Sequence, residues 1–327
     1  MARILAAHAH PDDIETLAAG TLAVLARAGH DVLIATLTAG DCGSRDFSAE
    51  ETARIRRGEA ARAAAMIGAE YRCLGLPDLG LFNDDPTRRQ VTELIRAAAP
   101  AIVIAAAPAD YHPDHEAASA LVRDACFAAS APNYRTGPAA PLDAIPHLYF
   151  TDPIGGRDRD GRDVVPDFAV DVGEAFATKL QMLRAHVSQI DWVAKQHGSV
   201  DFPALMEAFA RRRGTEFGAE LAEGFRHYRG EPFPRAPLLQ QLVGPALLRR
   251  PYKTAPPPRA LRIARSSATA KSRRSARVSA RATATPRSDR RSCRSGSSSS
   301  GPTSATRVKA VGDRQSVWAP FGVSRQT

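Results

Sequence analysis

Residues 3–40 read RILAAHAHPDDIETLAAGTLAVLARAGHDVLIATLTAG, and this stretch decides the fold. An apolar run at 3–9 ends in histidines and aspartates, and residues 15–28 then place Leu17, Ala18, Leu22 and Leu25 near helical spacing until Gly29 breaks the pattern. Residues 31–40 are apolar again and finish in a glycine-bearing loop. Strand, helix and strand in that order predict a βαβ unit with parallel strands.

The same alternation continues outward. SAEETARIRRGEAARAAAMIG at 48–68 is a helix whose Ser48 and Glu51 make a capping-box signature. A short strand follows at Tyr71–Leu74 and a helix at about 86–98. AIVIAAAP at 101–108 is apolar on both faces, as a central parallel strand is, and HPDHEAASALVRDACFAAS after it is helical. Strands are expected at HLYFTD and DFAVDV, and helices at about 174–188 and 204–213. GGRDRDGRDVVPD at 155–167 is a loop placed to rim a site. The fold class is therefore α/β, a Rossmann-like three-layer α/β/α arrangement around a mostly parallel sheet.

Charge divides the chain in two. Residues 249–327 hold 19 Lys and Arg against Asp289 and Asp313, so they carry +17 and leave −8 on residues 1–248. The expectation is one catalytic domain over 1–248 and an Arg/Ser/Ala-rich, disordered tail over 249–327, too poor in apolar residues to offset the entropy of ordering. Aromatic residues are not interleaved with its arginines as a base-stacking platform requires, so the tail reads as a solvated extension rather than a nucleic-acid clamp. Cys42, Cys73, Cys126 and Cys293 lie far apart without a CxxC pair, which suits a reducing, cytoplasmic compartment. The apolar start lacks a cleavage site, and no uncharged run approaches the roughly 18 residues of a membrane span.

The tetrapeptide H-P-D-x occurs twice, as His10-Pro11-Asp12-Asp13 and His112-Pro113-Asp114-His115, each after an apolar strand and before a helix. Both copies belong at the carboxyl ends of strands, the edge of an open α/β sheet where ligands bind. Proline at the first helical position pins a loop-to-helix junction, so the flanking His and Asp become rigidly placed. Residues three apart lie on one side of a helical turn, which lets His10 and Asp13 converge while Asp12 projects elsewhere. One such tripeptide alone reads as a helix cap. Two copies, with imidazole and carboxylate together, suit a catalytic zinc, which takes three protein ligands and leaves one position for water. The candidates are His10, Asp13, His112 and His115, and spacing leaves open which histidine of the second copy completes the set. Asp12 is placed to take a proton from water, and the remaining histidine to donate to the oxyanion of a tetrahedral intermediate. These parts predict metal-assisted amide hydrolysis.

At these residues the chain resembles the zinc de-N-acetylase family called PIG-L or LmbE-like. The resemblance is carried by AHPDDIE at 9–15, LTAGDCGS at 37–44, Arg56 with Glu59 in RRGEAARAAAMIGAE, and DYHPDHEAA at 110–118. It continues more weakly through PDFAVDVGEAFATKLQMLRAHVSQIDW and EFGAELAEGFR, covering roughly residues 3–235. The resemblance implies one zinc per chain bound by His10, Asp13 and His115, with Asp12 as general base, His112 stabilising the oxyanion and Asp114 orienting His112. It further implies a substrate-facing Arg56 and places His186 at the edge of the site. Tyr111 immediately precedes His112, whereas some sugar deacetylases of the family have a tyrosine one residue earlier with a glycine between. The implied substrate is a small N-acylated sugar or glycoside. The alternatives are an amidase acting on a larger conjugate and a binding module that keeps the fold without turnover.

The other signals read more plainly. His8 is expected as a hydrogen-bonded core histidine rather than a fourth ligand, and His30, His147, His197 and His227 as surface or packing residues. Cys42 has no activating pattern and reads as inert. No G-x-G-x-x-G or G-x-x-x-x-G-K-[ST] follows the first strand, which argues against a nucleotide cofactor.

Overall fold

The structure is a computed structural model that describes residues 1–198 and 200–251; the expected tail, beyond Pro251, lies outside the described residues. The chain runs β1 (Arg3–His8), α1 (Asp13–Leu17), α2 (Ala19–Arg27), β2 (Asp31–Thr38), α3 (Ala49–Ala65) and β3 (Glu70–Leu76). It continues with α4 (Asp85–Ala98), β4 (Ile102–Ala105), α5 (Pro113–Ala129), β5 (His147–Thr151) and β6 (Phe168–Asp171). The last elements are α6 (Phe176–Arg184), α7 (Val187–His197), α8 (Phe202–Phe217), β7 (Ala222–His227), α9 (Leu238–Val243) and β8 (Leu248–Arg249).

Among the described residues, eight strands form one sheet in the order β3-β2-β1-β4-β5-β7-β6-β8. Pairing is parallel from β3 through β5, and β7 then runs antiparallel to both β5 and β6. β1 lies at the centre because its residues are apolar on both sides. Ile4 and Ala6 enter a core with α2, α6 and α8, while Leu5 and Ala7 enter another with α4 and α5. Helices thus cover both faces, as expected for parallel strands buried on both sides. The chain leaves β1 toward β2 on one side and returns on the other through β4, so a crevice opens between the carboxyl ends of β1 and β4.

Several expectations need correction. The helix expected over 15–28 is two, broken at Ala18, where φ is −142°. The helix expected over 174–188 ends at Arg184, and a separate α7 begins at Val187. Pro113 occupies the first turn of α5 as expected, but Pro11 does not start a helix: α1 begins at Asp13, after a tight turn. Only half of the capping box forms, since Ser48 Oγ accepts from the Glu51 N–H at 3.3 Å while the Glu51 carboxylate turns to Arg54. β7 was not anticipated, because Glu223, Gly224 and Arg226 break its apolar pattern. Gly224 is needed there: a Cβ would stand 2.4 Å from Asp152 Oδ2 and 2.5 Å from Pro166 Cγ.

Glu223 explains a charge inside the sheet. Its Oε1 accepts from Lys179 Nζ at 2.5 Å and the Gly20 N–H at 2.9 Å, and its Oε2 from the Thr21 N–H at 2.7 Å. Lys179 and Glu223 are 1% and 3% exposed, so each needs the other. Glu223→Ala strands the ammonium, and we expect urea unfolding to show a loss of about 3–5 kcal/mol. A loss under about 1 kcal/mol would contradict this account of the pair.

Candidate active site

The two H-P-D loops meet at the crevice although about a hundred residues separate them. In the second loop His112 caps α5: its Nδ1 accepts from the Asp114 N–H at 3.2 Å. In the first, Asp12 adopts φ 97°, the left-handed region that non-glycine residues enter at a cost. Arg56 holds it there. Its Nη2 donates to Pro11 O at 2.7 Å and to Asp12 Oδ1 at 3.0 Å, and its Nη1 to Gly40 O at 2.7 Å. Gly40, with φ 65°, makes room, since a Cβ would fall 2.0 Å from Nη1.

Asp13 is fixed from two sides. Its Oδ2 lies 2.6 Å from His8 Nδ1 and accepts from the His10 N–H at 2.8 Å. His8 is thereby the hydrogen-bonded, buried histidine expected from the sequence. His10 Nδ1 stands 3.3 Å from Asp13 Oδ2, His115 Nε2 stands 3.2 Å from Asp13 Oδ1, and the two imidazole nitrogens are 3.3 Å apart. At the far nitrogens, His10 Nε2 lies 3.0 Å from Asp78 Oδ1 and His115 Nδ1 3.2 Å from Asp110 Oδ2, so carboxylates stand ready to hold a proton there while a cation replaces the inner protons at His10 Nδ1 and His115 Nε2. Each of the three inner separations is close to the roughly 3.3–3.4 Å between donors about 2.0–2.1 Å from a tetrahedral ion, with His10 and His115 facing different oxygens of the one Asp13 carboxylate.

His112 is also close, its ring stacked on His115 at 4.8 Å between centroids. Its ligand atoms and those of His10 and His115 lie within 4.8 Å of one another, as do those of His8, Asp13 and His115. The Asp114 N–H takes its Nδ1 lone pair, which leaves the proton on Nε2. His112 therefore offers a donor to the crevice on which His10 and His115 converge.

The electrostatics follow from carboxylates crowded among imidazoles. Burial works against charge on His10, but Asp114, Asp13 and Asp78 outweigh it and hold its pKa well above the ordinary value. Burial also opposes charge on His115, which Asp13 and Asp110 bring up to about 9. Burial pushes His112 down to about 4, aided by His10 and His115. For Asp13, burial favours the neutral acid, yet His115 and His8 keep its carboxyl well below the usual range. Asp12 is pushed up to about 7 by burial, against the pull of Arg56.

Three of the expected site residues are buried. Asp114 does not reach the His112 ring with its carboxylate, which accepts from the Leu79 N–H at 2.7 Å and lies 3.4 Å from His10 Nε2. Arg56 is 3% exposed and donates to Asp12 and two carbonyls, so it braces the Asp12 turn. His186 is fully buried with Nε2 3.3 Å from Glu15 Oε1, and it acts on Asp12 through its charge. Sequence reasoning missed Asp78 as a partner of His10. Its signal was an acid just past the carboxyl end of β3, on the same sheet edge as both motifs. Asp110 was read only for its place beside Tyr111.

An open α/β sheet with a buried His/Asp cluster fit for a metal at its switch point defines a class of metal-site enzymes. The sequence profile of the GlcNAc-PI de-N-acetylase family, PIG-L, matches residues 5–126. The diacetylchitobiose deacetylase of Thermococcus kodakarensis is 30% identical over 245 residues, 70% of this chain and 84% of that protein. The 2'-N-acetylparomamine deacetylase of Streptomyces fradiae is 30% identical over 220 residues, 58% of this chain and 74% of that protein. The solved N,N'-diacetylchitobiose deacetylase from Pyrococcus horikoshii shares the fold, with a TM-score of 0.60 and 24% identity over 72% of this chain and 88% of that one. This chain belongs to the PIG-L family. Among the described residues, no helix is long and apolar enough to cross a membrane.

The brace on Asp12 is testable. Gly40→Ala puts a Cβ at positive φ and against Arg56, a cost of about 2 kcal/mol. A thermal melt should fall by roughly 4–8 °C for a domain of this size, and an unchanged midpoint would remove the brace from the account.

Proposed function

We propose that this protein is a zinc-dependent hydrolase that removes the acetyl group from the nitrogen of a small sugar or glycoside, releasing a free amine and a carboxylate. The observation that carries this is the convergence of His10 Nδ1, His115 Nε2 and the Asp13 carboxylate, each oriented by its own buried partner. One zinc held by these three would supply a Lewis acid for the amide carbonyl and lower the pKa of a water to about 7.

This chain's own groups do the rest. Asp12, steadied at Oδ1 by Arg56, takes the proton from the attacking water and returns it to the departing amine nitrogen. His112 is neutral and carries its proton on Nε2, so it donates to the oxygen that gains charge as the carbonyl carbon becomes tetrahedral. Asp78 and Asp110 keep the His10 and His115 rings turned so that His10 Nδ1 and His115 Nε2 face inward. Deacetylase activity on N-acetylated sugars is what the names of the Thermococcus and Streptomyces relatives state of those proteins, and it supports the same substrate class here. The free thiols Cys42, Cys73 and Cys126 support a reducing, cytoplasmic setting.

The direct test is amine release from N-acetylated sugars and glycosides by metal-loaded protein. Wild type should bind about one zinc and lose turnover on chelation. Asp12→Asn should keep the metal and lose about 10²–10⁴-fold in kcat. Activity unaffected by chelation, or full turnover in Asp12→Asn, rejects the proposal. His112→Ala should lower kcat about 10²–10³-fold with metal content unchanged, and loss of the metal instead would reassign His112 as a ligand.

A further inference from the structure

The connection from β5 to β6, the loop expected from the sequence to rim the site, folds back on itself. Arg157 and Asp163 pair across it as an isolated antiparallel bridge, and Asp158 Oδ1 accepts from the Asp160 and Arg162 N–H groups at 2.9 and 2.8 Å. Its root is fixed from α8, where the buried Arg213 donates from Nη2 to Val164 O at 2.7 Å and pairs with Asp152.

Two contacts tie this hairpin to the metal cluster, and both lead to Asp110. At the root, the Ile154 N–H donates to Asp110 Oδ2 at 3.0 Å. At the tip, Arg159 Nη2 lies 2.8 Å from Glu116 Oε1, and that same oxygen accepts from the Asp110 N–H at 3.0 Å. Glu116 lies one turn beyond His112, the cap of α5, so its carboxylate reaches back across the helix N-terminus, where the dipole favours an anion. Asp110 is 2% exposed; its Oδ1 accepts from the His112 N–H at 3.2 Å, and its Oδ2 lies 3.2 Å from His115 Nδ1. A carboxylate in that place orients an imidazole only as well as its own chain is held, and Glu116 is the side chain that holds the Asp110 amide.

We propose that Glu116 is a positioning residue: with Arg159 it fastens the β5–β6 hairpin to Asp110, and through Asp110 it sets the orientation of His115 toward the metal. A glutamate that only favoured the start of α5 would change stability and leave the ion untouched. This inference rests on the zinc reading for its effect on metal affinity, but not for the coupling of Glu116 to Asp110.

Zinc affinity of the full chain, measured by competition with a chromophoric chelator, tests the proposal. Glu116→Ala should weaken zinc about tenfold, the low end for an outer partner of a metal ligand. Glu116→Gln keeps an acceptor for the Asp110 N–H and loses only the pairing with Arg159, so it and Arg159→Ala should each weaken zinc by no more than about threefold. In an Asp110→Ala background, Glu116→Ala should add less than about twofold, because the route to His115 is already cut. In metal-free protein, hydrogen exchange at the Asp110 and Ile154 amides should be about tenfold faster in Glu116→Ala. A zinc affinity of Glu116→Ala within about twofold of wild type, the full effect persisting in the Asp110→Ala background, or unchanged exchange overturns the proposal. Faster exchange in Glu116→Ala when the wild type takes up no zinc keeps the coupling to Asp110 and rejects the zinc reading.

Discussion

The site depends on the Asp13 carboxylate. One oxygen is tied to His8 and to the His10 backbone, and the other faces His115 across the crevice between β1 and β4. That carboxylate joins a loop near the start of the chain to one about a hundred residues later. Its negative charge is stabilised by histidines on three sides, which is why burial fails to neutralise it. Remove it and the two imidazole nitrogens, 3.3 Å apart, face each other without a shared anionic partner.

A second layer makes the arrangement rigid, and much of it comes from one helix. On α3, Thr52, Arg56 and Glu59 recur at helical spacing on the buried face. Arg56 holds the strained Asp12 turn and Glu59 accepts from the Ser188 N–H and hydroxyl at the start of α7. The same face thus links the Asp12 turn to the start of α7, so loop geometry and ligand placement become parts of one packing problem rather than separate features.

Periodicity made the parallel half of the sheet legible, because β1, β2 and β4 are continuous apolar runs bounded by glycine, proline or charge. The duplicated H-P-D motif marked the crevice for the same reason, since both copies end such runs. The antiparallel half was harder: β7 contains Glu223 and Arg226, whose burial depends on tertiary partners that no local pattern reveals. Spacing also left His112 and His115 equivalent. What separates them is a backbone N–H to one ring and the Asp110 carboxylate near the other, relations that appear only in three dimensions. The bracing contacts of Arg56 and the pairing of His186 with Glu15 depend on tertiary packing, and the left-handed turn at Asp12 has no sequence signature that proline could supply.

The most direct test of the central claim is X-ray absorption at the zinc K-edge of reconstituted wild type and of its His115→Ala and His112→Ala variants. The account predicts a light-atom shell with the scattering of two imidazoles in wild type and in His112→Ala, and of one in His115→Ala. Two imidazoles persisting in His115→Ala while His112→Ala loses one would contradict it.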